Sequence, residues 1–280
     1  MLIVPMIVRF FRRLLAKIND WLPQPIHLSW GMWWLAWNDV MSAHIRLRDK
    51  FEQEEQGFLL GFLGAGMIFL DLGAHQGLYT LLASKKVGPS GQVFAFEPSP
   101  RELRRLRWNL FLNRCRNVCV VPFALGNIED TVELFVCLGR ETGCNSLRPP
   151  AVSEPVGKVQ VPITTLDRYL ERTRICKVDF VKIDVEGAEL EVLKGARRLL
   201  SDCRPPILCE LADVRTEPWG YGSVDIYEFL ATRGYRWFLI TPEGRLQFCP
   251  RKEHFHENLI AVPEEKLELV ASFVEKDEEQ

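Results

Sequence analysis

The sequence predicts an α/β protein with a doubly wound, mostly parallel sheet. From about residue 67, apolar strand-like segments alternate with amphipathic helical segments, and glycine turns separate them. This alternation is typical of parallel strands joined by crossover helices. The chain has 280 residues and is 47% hydrophobic, which is sufficient for one sizeable core. We therefore expect one main domain with appendages.

The first half of that domain contains two strand and helix repeats. IFLDLG leads into LYTLLASKK, and QVFAFEP leads into RELRRLRWNLFLN, which is followed by the strand VCVVPFA. Gly88 provides a stop for the first helix, and Ser99 is predicted to cap the second. In the first helix, one apolar face for the sheet is formed by Leu78, Leu81 and Leu82.

The second half contains an interruption and an edge. Residues 131–163 read as two β segments around a loop, which predicts an inserted β-hairpin. The alternation resumes with the strand DFVKIDV, a helix and the strand PILCEL. The final short segments, YRWFLIT, RLQFC and NLIAV, predict an antiparallel C-terminal edge of the same sheet.

The chain ends differ from this pattern. Residues 1–50 are predicted to be a helical, tryptophan-rich extension, residues 51–274 the main domain, and residues 275–280 an acidic tail. Within residues 1–20 an apolar stripe is flanked by basic positions, so this segment could make peripheral contact with an anionic membrane. The alternative is a helix that packs on the domain or on an oligomer partner. The stripe contains Ile7, Phe10, Phe11, Leu14, Leu15 and Ile18, and the basic residues are Arg9, Arg12, Arg13 and Lys17.

Composition restricts the partners and the compartment. The formal net charge of -2 provides no global positive field, so nucleic acid is not expected as a partner. The 8 cysteines are scattered, which favours reduced thiols. No long apolar span and no ordinary secretory signal are found. We therefore expect a cytoplasmic protein, or one at the inner face of the membrane, and the oligomeric state is left open.

The segment FLDLGAHQG has the form of a cofactor-binding turn. It joins a strand to a helix, so Gly73 and Gly77 would let backbone approach a ligand at the helix N-terminus. Glu97 ends the next strand about 20 residues later, the spacing of a ribose-binding acid. Asp71 would attract an ammonium group and repel a pyrophosphate, which favours S-adenosylmethionine over NAD. A tight turn without a ligand is the alternative.

At this point the chain resembles the FkbM family of S-adenosylmethionine-dependent methyltransferases, which have a Rossmann-like sheet. The resemblance runs from about residue 51 to 263. Its blocks are FEQEE, FLDLGAHQG, FAFEPSP, PFALGN, NSL, VPITTLDRYL and FVKIDVEGAELEVLKGA.

The resemblance implies cofactor contacts for several of these residues. They are Glu54, Asp71, Gly73, His75, Gly77, Glu97, Phe123 and Ala124, with the last two lining the adenine. Two positions depart from the family. His75 stands where Asn is more usual, and Ala212 stands where a His more often follows the strand.

Three carboxylates at strand ends are candidates for the chemistry of methyl transfer. Asp184 and Glu186 follow one strand and Glu210 ends the next, so all three are expected at the ligand-binding edge. One of them would accept the proton of an acceptor hydroxyl. Alternatively, Asp184 caps the following helix, and Glu186 and Glu210 are ordinary strand-end or first-turn acids. Lys182 is interpreted as structural, on the opposite side of the strand.

The metal and the acceptor are less defined. Asp184, Glu186 and Glu210 could supply oxygen ligands to Mg²⁺, but carboxylates alone do not define a metal site. The chain lacks an N-P-P-Y or D-P-P-Y block of base-modifying enzymes, so an oxygen acceptor is expected. The family resemblance implies a sugar hydroxyl in a glycan, glycolipid or glycosylated natural product. The alternatives are a non-catalytic protein that binds S-adenosylmethionine or a nucleotide, and a nucleotide-cofactor oxidoreductase.

Overall fold

The computed structural model describes residues 23–47 and 51–275. Its strands are β1 (Gln24–His27), β2 (Trp33–Ala36), β3 (Ile68–Leu72), β4 (Gln92–Phe96), β5 (Val118–Val121), β6 (Ala124–Leu125), β7 (Asp130–Cys137), β8 (Val156–Thr164), β9 (Phe180–Ile183), β10 (Ile207–Ala212), β11 (Tyr235–Ile240), β12 (Leu246–Phe248) and β13 (His256–Pro263). Its α-helices are α1 (Val40–Arg46), α2 (Gln53–Phe62), α3 (Leu78–Val87), α4 (Pro100–Leu112), α5 (Leu166–Thr173), α6 (Glu189–Lys194), α7 (Asp213–Thr216) and α8 (Ser223–Ala231).

The large sheet has the order β12, β11, β13, β10, β9, β3, β4, β5. The strands from β10 to β5 are parallel, and β13, β11 and β12 extend the sheet in antiparallel pairs. The chain runs from β3 through β4 to β5 and then returns to β9 on the other side of β3. The predicted fold class is confirmed, and the topological switch point lies between β3 and β9.

Strand alternation builds an apolar layer on each face of this sheet. On β9, Phe180 packs with α2 and α3, whereas Val181 and Ile183 pack with α5, α6 and α8. Because side chains alternate along a strand, Lys182 shares the face of Phe180. Asp71, the neighbour of Lys182 on β3, lies on this face too.

The inserted hairpin predicted for residues 131–163 is present as the antiparallel pair β7 and β8. Its register runs from the Asp130 and Ile163 pair to the Cys137 and Val156 pair, and β6 joins β8 in parallel. A small apolar cluster with Leu134 and Val161 holds this sheet together. The long loop between β7 and β8 extends to the edge of the large sheet.

The N-terminal extension differs from its prediction. Residues 24–36 form the antiparallel hairpin of β1 and β2, so the expected helical character is wrong for them. Gly31, at φ +82°, occupies the turn, a conformation that glycine adopts without strain. Trp34 is fully buried against Leu78 and Leu106. This part of the extension is therefore packed on the main domain.

The side chain of Asn109 in α4 and that of Asn113, directly after α4, complete the unpaired edge of that hairpin. The backbone N–H groups of Trp33 and Leu35 donate to the side-chain oxygens of Asn113 and Asn109, at 2.7 and 2.8 Å. Residues 1–20, for which membrane contact was predicted, lie outside the described residues, as do residues 276–280 of the acidic tail.

Other local expectations have mixed outcomes. Gly88 ends α3 as predicted. Ser99 stands at the predicted cap of α4, but its hydroxyl makes no hydrogen bond within the described residues; its backbone N–H donates to Glu97 instead. All 8 cysteines are free. Across residues 23–47 and 51–275, no helix is both long enough and apolar enough to cross a bilayer.

Candidate functional site

A cavity of about 410 Å³ opens at the carboxyl ends of β3, β4, β9 and β10. This is the edge where open α/β sheets bind ligands. The turn after β3, the segment between β5 and β6, the turn after β9 and the β7 to β8 loop line it. Of the predicted site residues, those that line it are Gly73, His75, Glu97, Phe123, Ala124, Asp184, Glu186 and Glu210.

The two glycines of the predicted cofactor turn have different surroundings. Gly73 has φ +85°, and a Cβ there would lie 1.8 Å from the carbonyl oxygen of Asp184, so glycine lets the ends of β3 and β9 meet. Gly77 has φ +92°, and its Cβ would lie 2.3 Å from Leu106 Cδ1. Gly77 is not among the residues that line the cavity. The left-handed φ and the packing against α4 are therefore the structural reasons for glycine at this position.

Glu97 directly follows β4, and the turns on both sides of it hold its carboxyl group. The backbone N–H groups of His75 and Ser99 donate to it at 2.8 and 2.7 Å. Burial raises the pKa of Glu97 to about 8 despite these donors. Its orientation is thus fixed by the fold before any ligand binds.

His75 connects the cofactor turn to the inserted hairpin. Its Nε2 lies 3.1 Å from Thr142 Oγ1 and 3.5 Å from a carboxylate oxygen of buried Glu102. Burial lowers the pKa of His75. The β7 to β8 loop therefore closes directly onto the turn that follows β3.

Lys182 is a site residue that sequence reasoning missed. It was placed on the side of the strand opposite to Asp184, which is wrong because residues two apart share a face. Lys182 Nζ donates to Asp184 Oδ2 at 2.8 Å, and Lys182 is the direct neighbour of Asp71 across β3 and β9. Although burial acts to lower it, the carboxylates of Asp184, Asp71 and Glu52 raise the pKa of Lys182. One buried cation therefore serves several acids.

Asp71 and Glu54 are not among the residues that line the cavity. Asp71 is fully buried; its Oδ2 accepts from Thr80 Oγ1 at 2.5 Å, and its Oδ1 has no partner in the described residues. In place of Glu54, Glu52 lines the cavity and accepts from Tyr79 at 2.5 Å. Burial raises the pKa of Glu52 to about 7. The FEQEE block showed acids, but its spacing could not single out Glu52.

The structure brings the three candidate carboxylates together. Glu186 forms an ion pair with Arg215 at 3.0 Å, and burial, reinforced by Asp184, raises the pKa of Glu186 to about 8. Burial raises the pKa of Glu210 further above its ordinary value, and Asp184 and Glu186 add to this.

The turn that holds Asp184 and Glu186 does not use Asp184 as a helix cap. Helix α6 begins only at Glu189, and the carboxylate of Glu189 accepts from the backbone of Val185 and Gly187 at 2.9 and 3.2 Å. The alternative cap role of Asp184 is therefore wrong.

Mg²⁺ ligation was the other role predicted for Asp184, Glu186 and Glu210. Within the described ranges, no group of three or more His, Cys, Asp or Glu side chains has an arrangement that could hold a metal ion. Asp184 pairs instead with Lys182, and Glu186 pairs with Arg215.

Two residues of the NSL block anchor the β7 to β8 loop at the cavity. Ser146 Oγ donates to the carbonyl oxygen of Glu186 at 2.7 Å, and Asn145 Oδ1 accepts from the backbone of Cys137 at 2.9 Å. Asn145, Ser146 and Leu147 all line the cavity. The block thus connects the inserted hairpin to the turn after β9.

Fold and cavity together define a doubly wound α/β protein with a ligand-sized cavity at its switch point. The chain belongs to the family described as the methyltransferase FkbM domain, whose sequence model matches residues 71–237. The family resemblance predicted from the sequence is thereby confirmed.

Curated relatives are similar over about half of the chain. Methyltransferase 1 of Beauveria bassiana is 28% identical over 51% of this chain and 64% of its own length. Hexuronic acid methyltransferase AglP of Haloferax volcanii is 29% identical over 55% of this chain and 61% of its own. Methyltransferase sdnD of Sordaria araneosa is 32% identical over 48% and 61%. The chain thus spans about three fifths of the length of these relatives.

The solved structures that are similar to this chain include methyltransferase FkbM from Methylobacillus flagellatus. It aligns with a TM-score of 0.44 at 18% identity, over 70% of this chain and 43% of that chain. An S-adenosylmethionine-dependent O-methyltransferase from Thermotoga maritima aligns with a TM-score of 0.43 at 14% identity, over 92% and 80%.

Proposed function

We propose that this chain is an S-adenosylmethionine-dependent O-methyltransferase that methylates a hydroxyl of a sugar. The observation that supports it most is the excess of acidic over basic side chains around the cavity. The acids are Glu52, Glu97, Glu141, Asp184, Glu186 and Glu210, and the bases are Arg140, Lys182 and Arg215. A cofactor with an ammonium and a sulfonium suits such a cavity, and a pyrophosphate does not.

The residues present fit this cofactor on two further grounds. Glu97 lines the cavity with a carboxylate already oriented by backbone donors, which suits it to accept two ribose hydroxyls. Phe123 and Ala124 line the same cavity and would contact the adenine. Glu52 and Glu186 have carboxyl groups with raised pKa values, and these groups would lose their protons when the cationic cofactor binds.

S-adenosylmethionine supplies the methyl group as a sulfonium. The chain's own part is then to align an acceptor oxygen and to take its proton. Asp184 suits this role, because its side chain is 30% exposed while that of Glu186 is 15% exposed and occupied by Arg215. Lys182 would keep Asp184 oriented through its 2.8 Å hydrogen bond. In this scheme Glu210, whose pKa is raised by burial and by the neighbouring acids, lines the cavity without taking the acceptor's proton.

The sugar acceptor is proposed from the family and from one relative. AglP of Haloferax volcanii, 29% identical to this chain, is named a hexuronic acid methyltransferase. The β7 to β8 loop closes one side of the cavity, so we propose that this loop selects the acceptor.

The test uses the full chain. Calorimetry with S-adenosylmethionine, S-adenosylhomocysteine and NAD should give binding of the first two alone. Transfer of a radiolabelled methyl group to a pool of glycans and glycolipids should follow. Preferred binding of NAD would favour an oxidoreductase, and cofactor binding without transfer to any glycan would favour a binding protein or another acceptor.

A further inference from the structure

Helix α4 presents an apolar patch to solvent. Trp108 is 51% exposed, Phe111 75% and Leu112 37%. The Trp108 and Phe111 rings lie 6.0 Å apart in an edge-to-face arrangement, so the patch is continuous. Contiguous exposed apolar surface is a feature that marks interaction sites.

The patch is not required by the core. The opposite side of α4 carries Leu103, Leu106 and Leu110, which are buried. Successive helical residues are about 100° apart, so Trp108 and Phe111 point away from those leucines. The sequence thus places a second apolar surface on a helix whose first one is already packed.

Arginines surround this patch. Arg104 and Arg107 lie on the same helical face, and Arg114 and Arg116 follow the end of the helix; all four are exposed. Among residues 23–47 and 51–275, none of the four forms an ion pair. The acid of the helix, Glu102, is buried and engaged by Arg101 and Arg105. The outer face of α4 is therefore cationic and has no acidic partner among the residues that the structure describes.

We propose that this face, named here the α4 face (Arg104, Arg107, Trp108, Phe111, Leu112, Arg114 and Arg116), docks on an anionic lipid surface. Aromatic side chains favour the boundary between headgroups and acyl chains, and arginines pair with lipid phosphates. The combination of both on one helical face is that of an interfacial helix. This proposal is independent of the methyl-transfer activity.

Charge argues against two other occupants. A second copy docked by two-fold symmetry would bring the same arginines against each other. The chain's own residues 1–20 carry Arg9, Arg12, Arg13 and Lys17, which have the same sign as the α4 face. Both cationic regions are instead attracted to one anionic surface.

The experiment is flotation of the full chain with two vesicle types. One vesicle type contains phosphatidylcholine alone. The other also contains about 30% phosphatidylglycerol, which gives it a strong negative surface potential. We expect binding to the anionic vesicles only, with weakening at high salt. Arg107→Gln should lower the partition coefficient roughly fivefold. Phe111→Ser should lower it by on the order of tenfold.

Matched controls separate this face from general surface effects. Arg197→Gln removes an exposed arginine elsewhere, and Phe248→Ser removes an apolar ring that is 55% exposed on β12. Both should bind vesicles as the parent does. The proposal is overturned if the parent does not float, or if Phe111→Ser and Arg107→Gln both float as well as the parent. Binding of a short single-stranded RNA in place of vesicles would assign the face to nucleic acid. A dimer that Phe111→Ser dissociates would assign it to self-association.

Discussion

Lys182 Nζ lies 2.8 Å from Asp184 Oδ2, and the same lysine stands opposite Asp71 in the register of β3 and β9. The side chain of Lys182 is 6% exposed, so this is a nearly buried cation between acids. Breaking such a pair leaves charges without a partner in a low-dielectric environment. The stability of the switch point and the orientation of Asp184 therefore depend on one side chain.

Lys182→Met should lower the free energy of unfolding by about 3–5 kcal/mol, because Asp71 and Asp184 would lose their cation. Urea unfolding measures this change. The matched control is Lys177→Met, since the Lys177 side chain is 70% exposed and pairs with Asp179 at the surface. That variant should cost less than about 1 kcal/mol. Equal effects in the two variants would contradict the structural role given to Lys182.

Asp184→Asn should reduce kcat by roughly 10²- to 10⁴-fold if Asp184 accepts the acceptor's proton. S-adenosylhomocysteine affinity should change little, because the cofactor contacts proposed for Glu97 remain. Asp202→Asn, at a side chain that is 62% exposed, serves as the control. Rescue by excess Mg²⁺, with loss of parent activity in EDTA, would instead make Asp184 a metal ligand. Unchanged turnover would shift the search for a base to Glu186.

Glu97→Gln should weaken S-adenosylhomocysteine binding at least tenfold, by about 1.4 kcal/mol or more. The amide of glutamine has one accepting oxygen, and its NH2 group is a donor. It therefore cannot accept from His75, Ser99 and a ribose at once. Calorimetry measures the affinity, and Glu133→Gln on the inserted hairpin controls for the loss of a charge. If both variants bound as the parent does, ribose recognition would have to be assigned to another residue.

Gly77→Ala should be more destabilising than Gly220→Ala. Both glycines have left-handed φ values, +92° and +81°, but the Cβ would meet Leu106 at 2.3 Å only at Gly77. Backbone strain costs about 1–2 kcal/mol at either position, and overpacking adds about 1–3 kcal/mol at Gly77. Thermal or urea unfolding measures both. A folded Gly77→Ala protein that has lost only cofactor affinity would support the backbone contact predicted from the sequence.

The free energy of unfolding should fall as pH rises from about 7 to 8.5. Burial raises the pKa of Glu97 and Glu186 to about 8, so the folded state holds protons that the unfolded chain releases near pH 4.5. Stability from such groups is complete below the unfolded value and is lost as pH rises through the folded one. Each proton contributes a slope of up to about 1.4 kcal/mol per pH unit.

This pH window excludes the opposing contribution of His75. Burial lowers the pKa of His75, so its effect is confined to pH values below its ordinary 6.5. Denaturant titrations of the free protein at pH 7 and 8.5 test the trend. Glu186→Gln should flatten it, and a parent stability that is constant across the window would contradict it.

The sequence was sufficient to predict the sheet because its signals are local and periodic. IFLDLG, QVFAFEP and DFVKIDV each read as a buried strand followed by a polar turn, and they form β3, β4 and β9. Their strand-end acids, including Glu97 and Asp184, therefore meet at one edge, as expected for parallel strands. The inserted hairpin was visible for the same reason.

Other features depend on contacts that local patterns do not contain. The β1 strand has four residues, and its partner β2 is completed by Asn109 and Asn113, more than seventy positions away. Glu52 could not be told from the neighbouring acids by sequence, and its hydrogen bond with Tyr79 and its place in the cavity lining distinguish it. Lys182 could have been placed correctly, because the two-residue period of a strand puts it on the face of Asp184.

The hydrogen bond from Ser146 to the carbonyl oxygen of Glu186 joins the inserted hairpin to the turn that carries Asp184. A sugar that displaces this loop would therefore also shift Asp184, the proposed proton acceptor. In the proposed reaction, discrimination would then be expressed in turnover as well as in affinity, since a misplaced carboxylate loses its alignment with the reacting oxygen. A poorly fitting sugar could occupy the cavity and still be methylated slowly.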